Sequence, residues 1–156
     1  LLMAARKTWD SRDGVPEIDV QVETAALLYG NSTQLESIVG NLLSNAVRHT
    51  PRDGSITMTW RASKKGAEIV VQDTGEGIAA EHIPRLTERF FRVDRGRSRD
   101  DGGVGLGLAI VKHILNRHDG ELHISSTPGV GSEFHCRFPA QRVAAPEPVA
   151  VGGSGS

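Results

Sequence analysis

Seven apolar residues, Leu35, Ile38, Val39, Leu42, Leu43, Ala46 and Val47, recur at three- and four-residue steps, the spacing of a helix with one buried stripe. A stripe that wide needs an apolar sheet to lie on, and the flanking sequence supplies strands. Upstream, Glu17-Ile18-Asp19-Val20-Gln21-Val22-Glu23 alternates at period two. Thr33-Gln34-Leu35-Glu36 fits a capping box at the start of the helix, after a turn at Gly30-Asn31. Downstream, Pro51-Arg52-Asp53-Gly54 ends it, residues 55–60 read as a strand, Lys64-Lys65-Gly66 as a turn, and residues 67–73 as a second strand ending in an acid.

Residues 80–89 predict a short helix interrupted near Pro84, and residues 106–117 return to helical period through Leu108, Val111, Ile114 and Leu115, with Gly120 as the stop. Between them, residues 92–103 are too charged and glycine-rich to pack, so a mobile loop is expected where a lid would sit. Residues 121–126 and 133–138 predict a closing hairpin across Pro128-Gly129-Val130-Gly131. Strands joined mostly by hairpins favour an α/β (α+β) two-layer sandwich over a doubly wound parallel sheet: a mixed, mostly antiparallel sheet with helices on one face. The expected organisation is an N-terminal remnant or linker over residues 1–16, one domain over 17–139 with a lid at about 92–104, and a disordered tail over 140–156. The opening reads as the cut end of something longer, and Gly152-Gly153-Ser154-Gly155-Ser156 as flexible linker.

A chain of 156 residues has room for one core. Its net charge of −1 offers no basic field for nucleic acid, so an anion site would have to be built locally. Cys136 is the only cysteine, which leaves no internal disulfide and no cysteine-based zinc site, and it reads as a small core residue. The six histidines lack metal-ligand spacing. No apolar run approaches the roughly 18–20 residues needed to cross a bilayer. A nucleophile elbow and a Walker A pattern are both missing.

The chemistry-bearing residues fall in three places. Asn41, Asn45 and Arg48 share one helical stripe beside the apolar face; amide oxygens are hard ligands suited to a hydrated Mg²⁺, and the competing reading is a solvated helix face. Asp73 stands where a strand meets Thr74-Gly75-Glu76-Gly77-Ile78; an ionised carboxylate only accepts hydrogen bonds, so it suits the exocyclic amine of adenine and repels the carbonyl of guanine, the alternative being a turn aspartate. Gly103, Gly105 and Gly107 open the later helix, where free N–H groups and the positive dipole end favour phosphate. A Rossmann loop competes for these glycines, but no strand directly precedes them, and a flexible hinge is the plainer alternative. His49, beside Arg48, could meet phosphate or ribose.

Taken in order, Asn41-Leu42-Leu43-Ser44-Asn45-Ala46, Asp73-Thr74-Gly75-Glu76-Gly77-Ile78, Glu88-Arg89-Phe90-Phe91-Arg92 and Gly103-Val104-Gly105-Leu106-Gly107-Leu108-Ala109-Ile110-Val111 resemble the N, G1, F and G2 boxes of sensor histidine kinases. The resemblance runs over about residues 17–139, and residues 81–94 most resemble the phosphate-regulon branch of that family. It implies a Bergerat-type (GHKL) sandwich, shared with gyrase, Hsp90 and MutL, that binds ATP and Mg²⁺ under a mobile lid. By motif position, Asn45 would ligate Mg²⁺ with Asn41 in support, and Arg48 and His49 would stand near the phosphates and nucleoside. His49 replaces the commoner tyrosine. Asp73 would read adenine, and Gly75, Gly77 and Ile78 would shape its pocket. Phe90, Gly103, Gly105, Leu106, Gly107 and Leu108 would flank the nucleotide, and Ser132 takes the place of a frequent threonine near the base.

The family's phosphoacceptor segment, of His-Glu-Leu-Arg-Thr-Pro type, does not occur. The resemblance therefore implies partners: a dimerisation domain carrying that histidine upstream, and a response-regulator receiver domain that is PhoB-like. It also implies a homodimeric, membrane-anchored whole protein with this portion in the cytoplasm. Phosphoryl transfer asks mainly for positioning and charge neutralisation, so the attacking nitrogen can come from another domain. The alternatives are an ATPase clamp of the GHKL type, a serine kinase of the anti-sigma type and a nucleotide-sensing pseudokinase. The clamp needs a water-activating base at position 41, and the amide of Asn41 cannot take up a proton near neutral pH.

Overall fold

The computed structural model describes residues 1–10, 14–88 and 107–144. In chain order they form α1 (Leu2–Asp10), β1 (Glu17–Val22), β2 (Leu27–Leu28), α2 (Ser32–His49), β3 (Ser55–Ser63), β4 (Gly66–Asp73), a 3-10 turn (Ala80–Arg85), α3 (Gly107–Arg117), β5 (Glu121–Thr127), β6 (Gly131–Pro139), a second 3-10 turn (Ala140–Arg142) and β7 (Val143–Ala144). The expected lid lies outside the described residues.

Strands β1, β3, β4, β6 and β5 hydrogen-bond in that order; β1 runs parallel to β3 and the other neighbours are antiparallel. Because side chains alternate across a strand, one face collects Ile56 and Met58, Ile69 and Val71, and Phe134, Cys136 and Phe138. The α2 stripe and Val111, Ile114 and Leu115 of α3 close over that face to make one core. Each large apolar side chain fully buried there contributes about 1.5–3 kcal/mol relative to exposure. Cys136 lies at its centre, and burial pushes its thiol up to about 12, in keeping with a packing role.

Several local expectations change. The cap of α2 is Asn31, whose side chain accepts from the Gln34 N–H at 2.9 Å, so the helix starts at Ser32 and Thr33 does not cap it. Residues 2–10 are helical rather than loose, and Leu2, 6% exposed, joins the core. Order also continues past Pro139: the second 3-10 turn brings Val143–Ala144 back antiparallel to Leu27–Leu28. Two-residue strands carry no period, so neither was visible in the sequence. His118 is buried and braces the helix ends. Its Nδ1 faces the Ile114 carbonyl at 2.9 Å while its Nε2 accepts the Asn31 N–H at 3.1 Å.

Candidate functional site

The apolar phase of the sheet turns polar at one end. On β4 the face of Ile69 and Val71 next presents Asp73, on β6 the face of Phe134 and Cys136 presents Ser132, and on β5 the face of Leu122 and Ile124 presents Ser126. Asp73 is the register partner of Ser132, and Ser132 of Ser126, so the three form one cross-strand row. A cavity of about 320 Å³ opens at this end of the sheet, but it is lined largely by Thr57, Gln72, Ser125 and Glu133, which alternate to the face away from α2, and no residue of α2 or of residues 75–78 lines it. Asp73 is 8% exposed, and its Oδ1 accepts the Gly75 N–H at 2.9 Å. Burial raises its carboxyl above the ordinary 3.8, and the N–H groups of Gly75 and Ser132 offset only part of that.

The glycine turn after Asp73 is clamped from two sides. Toward α2, the Glu76 N–H donates to the His49 carbonyl at 3.3 Å and the two side chains meet at 3.1 Å. Toward the β5–β6 hairpin, the Gly129 N–H donates to the Glu76 carbonyl and the Ile78 N–H to Ser126 Oγ, each at 2.7 Å. Side chains do not fit. A Cβ on Gly75 would overlap the His49 carbonyl oxygen, and one on Gly77, at φ +76°, would overlap that of Thr127.

Along α2, Asn41, Asn45 and Arg48 are half-buried and His49 is exposed. Asn41 Nδ2 donates to the Ser37 carbonyl at 2.8 Å and approaches Ser37 Oγ at 3.2 Å, which turns Oδ1 toward the start of α3. There a Cβ on Gly107 would lie 3.1 Å from that oxygen. Thus α2 touches the first residue of α3 at Asn41 and the Asp73 turn at His49, two helical turns or about 12 Å apart, with Asn45 midway. Gly107 and Leu108 open α3, whose first N–H groups lack helical partners. Phe90, Gly103, Gly105 and Leu106 lie outside the described residues. No group of three or more His, Cys, Asp or Glu among the described residues could hold a metal; the donors here are amide oxygens, which suit a hard cation that keeps most of its waters.

Sequence reasoning missed Ser126, Ser37 and the partnership of Glu76 with His49. Ser126 had a signal: it occupies the apolar phase of β5, where a polar residue needs a partner. Ser37 and Glu76 had none, because their contacts depend on rotamer and turn geometry.

Comparison with known proteins agrees with the fold. The family model described as histidine kinase-, DNA gyrase B-, and HSP90-like ATPase matches residues 30–142. The phosphate regulon sensor protein PhoR of Pseudomonas aeruginosa is 50% identical over 130 residues, which cover 83% of this chain and 29% of that protein. The sensor-like histidine kinase SenX3 of Mycobacterium tuberculosis is 44% identical over 126 residues, 78% of this chain and 31% of that one. Among solved structures, the mycobacterial sensor histidine kinase MprB superposes with a TM-score of 0.77 at 29% identity, covering 93% of both chains. Full-length ShkA in complex with AMPPNP gives 0.79 at 28% identity, covering 93% of this chain and 30% of that one. The chain therefore spans about a third of the length of the curated relatives it matches.

Proposed function

The chain belongs to the histidine kinase-, DNA gyrase B- and HSP90-like ATPase family, and from that premise we propose that it is the ATP-binding catalytic domain of a two-component sensor histidine kinase. The observation that carries the reading is the buried Asp73, met by backbone N–H groups and by no cation, beside a row of hydroxyls and held at one end of the α2 amide stripe. An adenine amine supplies a further donor to its carboxylate. Gly75, Gly77 and Ile78 shape the base pocket and Ser132 stands beside the base. Phe90, Gly103, Gly105, Leu106, Gly107 and Leu108 flank the nucleotide. Arg48 and His49 serve the phosphates and nucleoside.

Asn45 and Asn41 fit a hydrated Mg²⁺ by donor chemistry, since the proton-bearing side of Asn41 is tied to Ser37 and its oxygen is turned outward. When bound, that ion neutralises phosphate charge. Asn41 cannot act as a general base, so water is poorly activated and the γ-phosphoryl is kept for a histidine on the upstream dimerisation domain. The product phosphohistidine is relayed to a response-regulator aspartate, of PhoB-like type given the relatives. In the whole protein this domain works on the cytoplasmic side of a membrane-anchored homodimer. Among the described residues no helix is long and apolar enough to cross a membrane.

Calorimetry is expected to show ATP or ADP with Mg²⁺ binding well above GTP, and Asp73→Ala removing that binding. Equal GTP binding would defeat the adenine assignment. Mixing the domain with a separate histidine-bearing dimerisation domain and γ-labelled ATP should place label on histidine; release of phosphate alone would favour the clamp ATPase.

A further inference from the structure

We propose that Ser126 sets the base selectivity of this site by fixing where the Ser132 hydroxyl sends its proton, an inference that rests on the adenine reading above. Ser126 Oγ is met by the Ile78 N–H at 2.7 Å, the Gly131 carbonyl oxygen at 2.9 Å and Ser132 Oγ at 2.8 Å. A hydroxyl has one proton and two lone pairs. The carbonyl can only accept, so the proton of Ser126 goes to Gly131. The amide can only donate, so one lone pair takes Ile78. A single lone pair remains, and Ser132 meets it only by donating. The proton of Ser132 is thereby committed, and its own lone pairs are all it has left to offer.

Its cross-strand partner Asp73 is an acceptor as well. Together the two side chains present acceptors alone. An exocyclic amine suits them, whereas the carbonyl oxygen that hypoxanthine or guanine carries at the same position meets only lone pairs. A Ser132 hydroxyl free to rotate would turn its proton to that carbonyl and blunt the discrimination. All three contacts of the Ser126 hydroxyl are to the protein itself. Ser126 is a positioning residue, acting through Ser132 and through the turn it holds at Ile78.

The test titrates the full chain with ATP and with inosine triphosphate, which replaces the amine by a carbonyl. Wild type is expected to prefer ATP. Ser126→Ala should weaken ATP about three- to tenfold while inosine triphosphate weakens less or gains, so the ratio narrows. Ser126→Thr, which keeps the hydroxyl, should restore it. Ser132→Ala should narrow the ratio by itself, and Ser126→Ala added to it should narrow it no further. Equal weakening of both nucleotides in Ser126→Ala would mark a merely structural hydroxyl and overturn the inference while sparing the adenine reading. An unchanged ratio in Ser132→Ala overturns it too, whether or not Ser126→Ala folds. Wild type binding both nucleotides equally would remove the adenine reading and this inference together.

Discussion

Strand β4 buries two carboxylates five residues apart, on opposite faces of the sheet, and they are built in opposite ways. Glu68, 6% exposed on the face away from the helices, is met by Arg61 at 2.8 Å, His135 at 3.1 Å and Arg137 at 3.4 Å. Asp73 is met by the N–H groups of Gly75 and Ser132. Burial opposes ionisation at both. At Glu68 it outweighs any single neighbour, but Arg61 and His135 together hold the carboxyl below its ordinary 4.5. At Asp73 burial prevails and the carboxyl rises above 3.8. A carboxylate supplied with its own cations is finished architecture, while one buried with only backbone N–H groups, beside a glycine turn, is a position for a ligand.

The largest effect should come from Asp73→Asn, which keeps an acceptor for Gly75 but presents an amide to the base. Adenine nucleotide affinity is expected to fall about tenfold to hundredfold or more, as measured by calorimetry. Thermal stability should hold or rise, because a carboxylate that folding disfavours has been removed. A variant that binds normally but melts early would make Asp73 a second Glu68 and erase the contrast.

Glu68→Gln is the reciprocal case. Arg61, Arg137 and His135 lose their shared anion, and unfolding in urea should show a loss of about 1–3 kcal/mol. Nucleotide affinity should stay within about twofold, since the row of Asp73, Ser132 and Ser126 lies on the other face.

Acidification separates the two acids in one preparation. Glu68 and Glu133 have lowered folded values, Glu68 against burial through Arg61 and His135, Glu133 through Gln72 and His135. Their stabilisation is present above the ordinary 4.5 and is lost as pH falls through those lowered values. Asp73 runs the other way: it favours the fold below 3.8, and that contribution is lost as pH rises through its raised value. Nucleotide binding needs the ionised form, so affinity should decline on acidification while circular dichroism still reports a folded domain. Simultaneous loss of both signals would break the distinction.

The sequence exposed the elements that repeat. The α2 stripe and the alternation on β6 run over several turns or pairs, long enough for period to declare the buried face. In α1 only Leu2, Ala5 and Trp9 mark a face, too few to separate a helix from a frayed end, and β2 and β7 have no period at all. The site follows the same rule. Asp73 and its glycines announce themselves in order, and Asn41 and Asn45 share a face by spacing. The contacts around them do not: Asn41 with Ser37, one helical turn back, depends on rotamer, while Ile78 with Ser126 and Asn31 with His118, 87 residues away, depend on chain path rather than local pattern.

The smallest effect is expected at the rim. His49 and Glu76 meet at 3.1 Å, but their side chains are 41% and 58% exposed, so water and salt screen the pair. The backbone bond from the Glu76 N–H to the His49 carbonyl does not need either side chain. Glu76→Gln should therefore shift stability by less than about 1 kcal/mol, and less still at high salt. Nucleotide affinity should move a few-fold at most. A hundredfold loss in Glu76→Gln would mean that the rim, rather than the buried acid behind it, governs the base pocket.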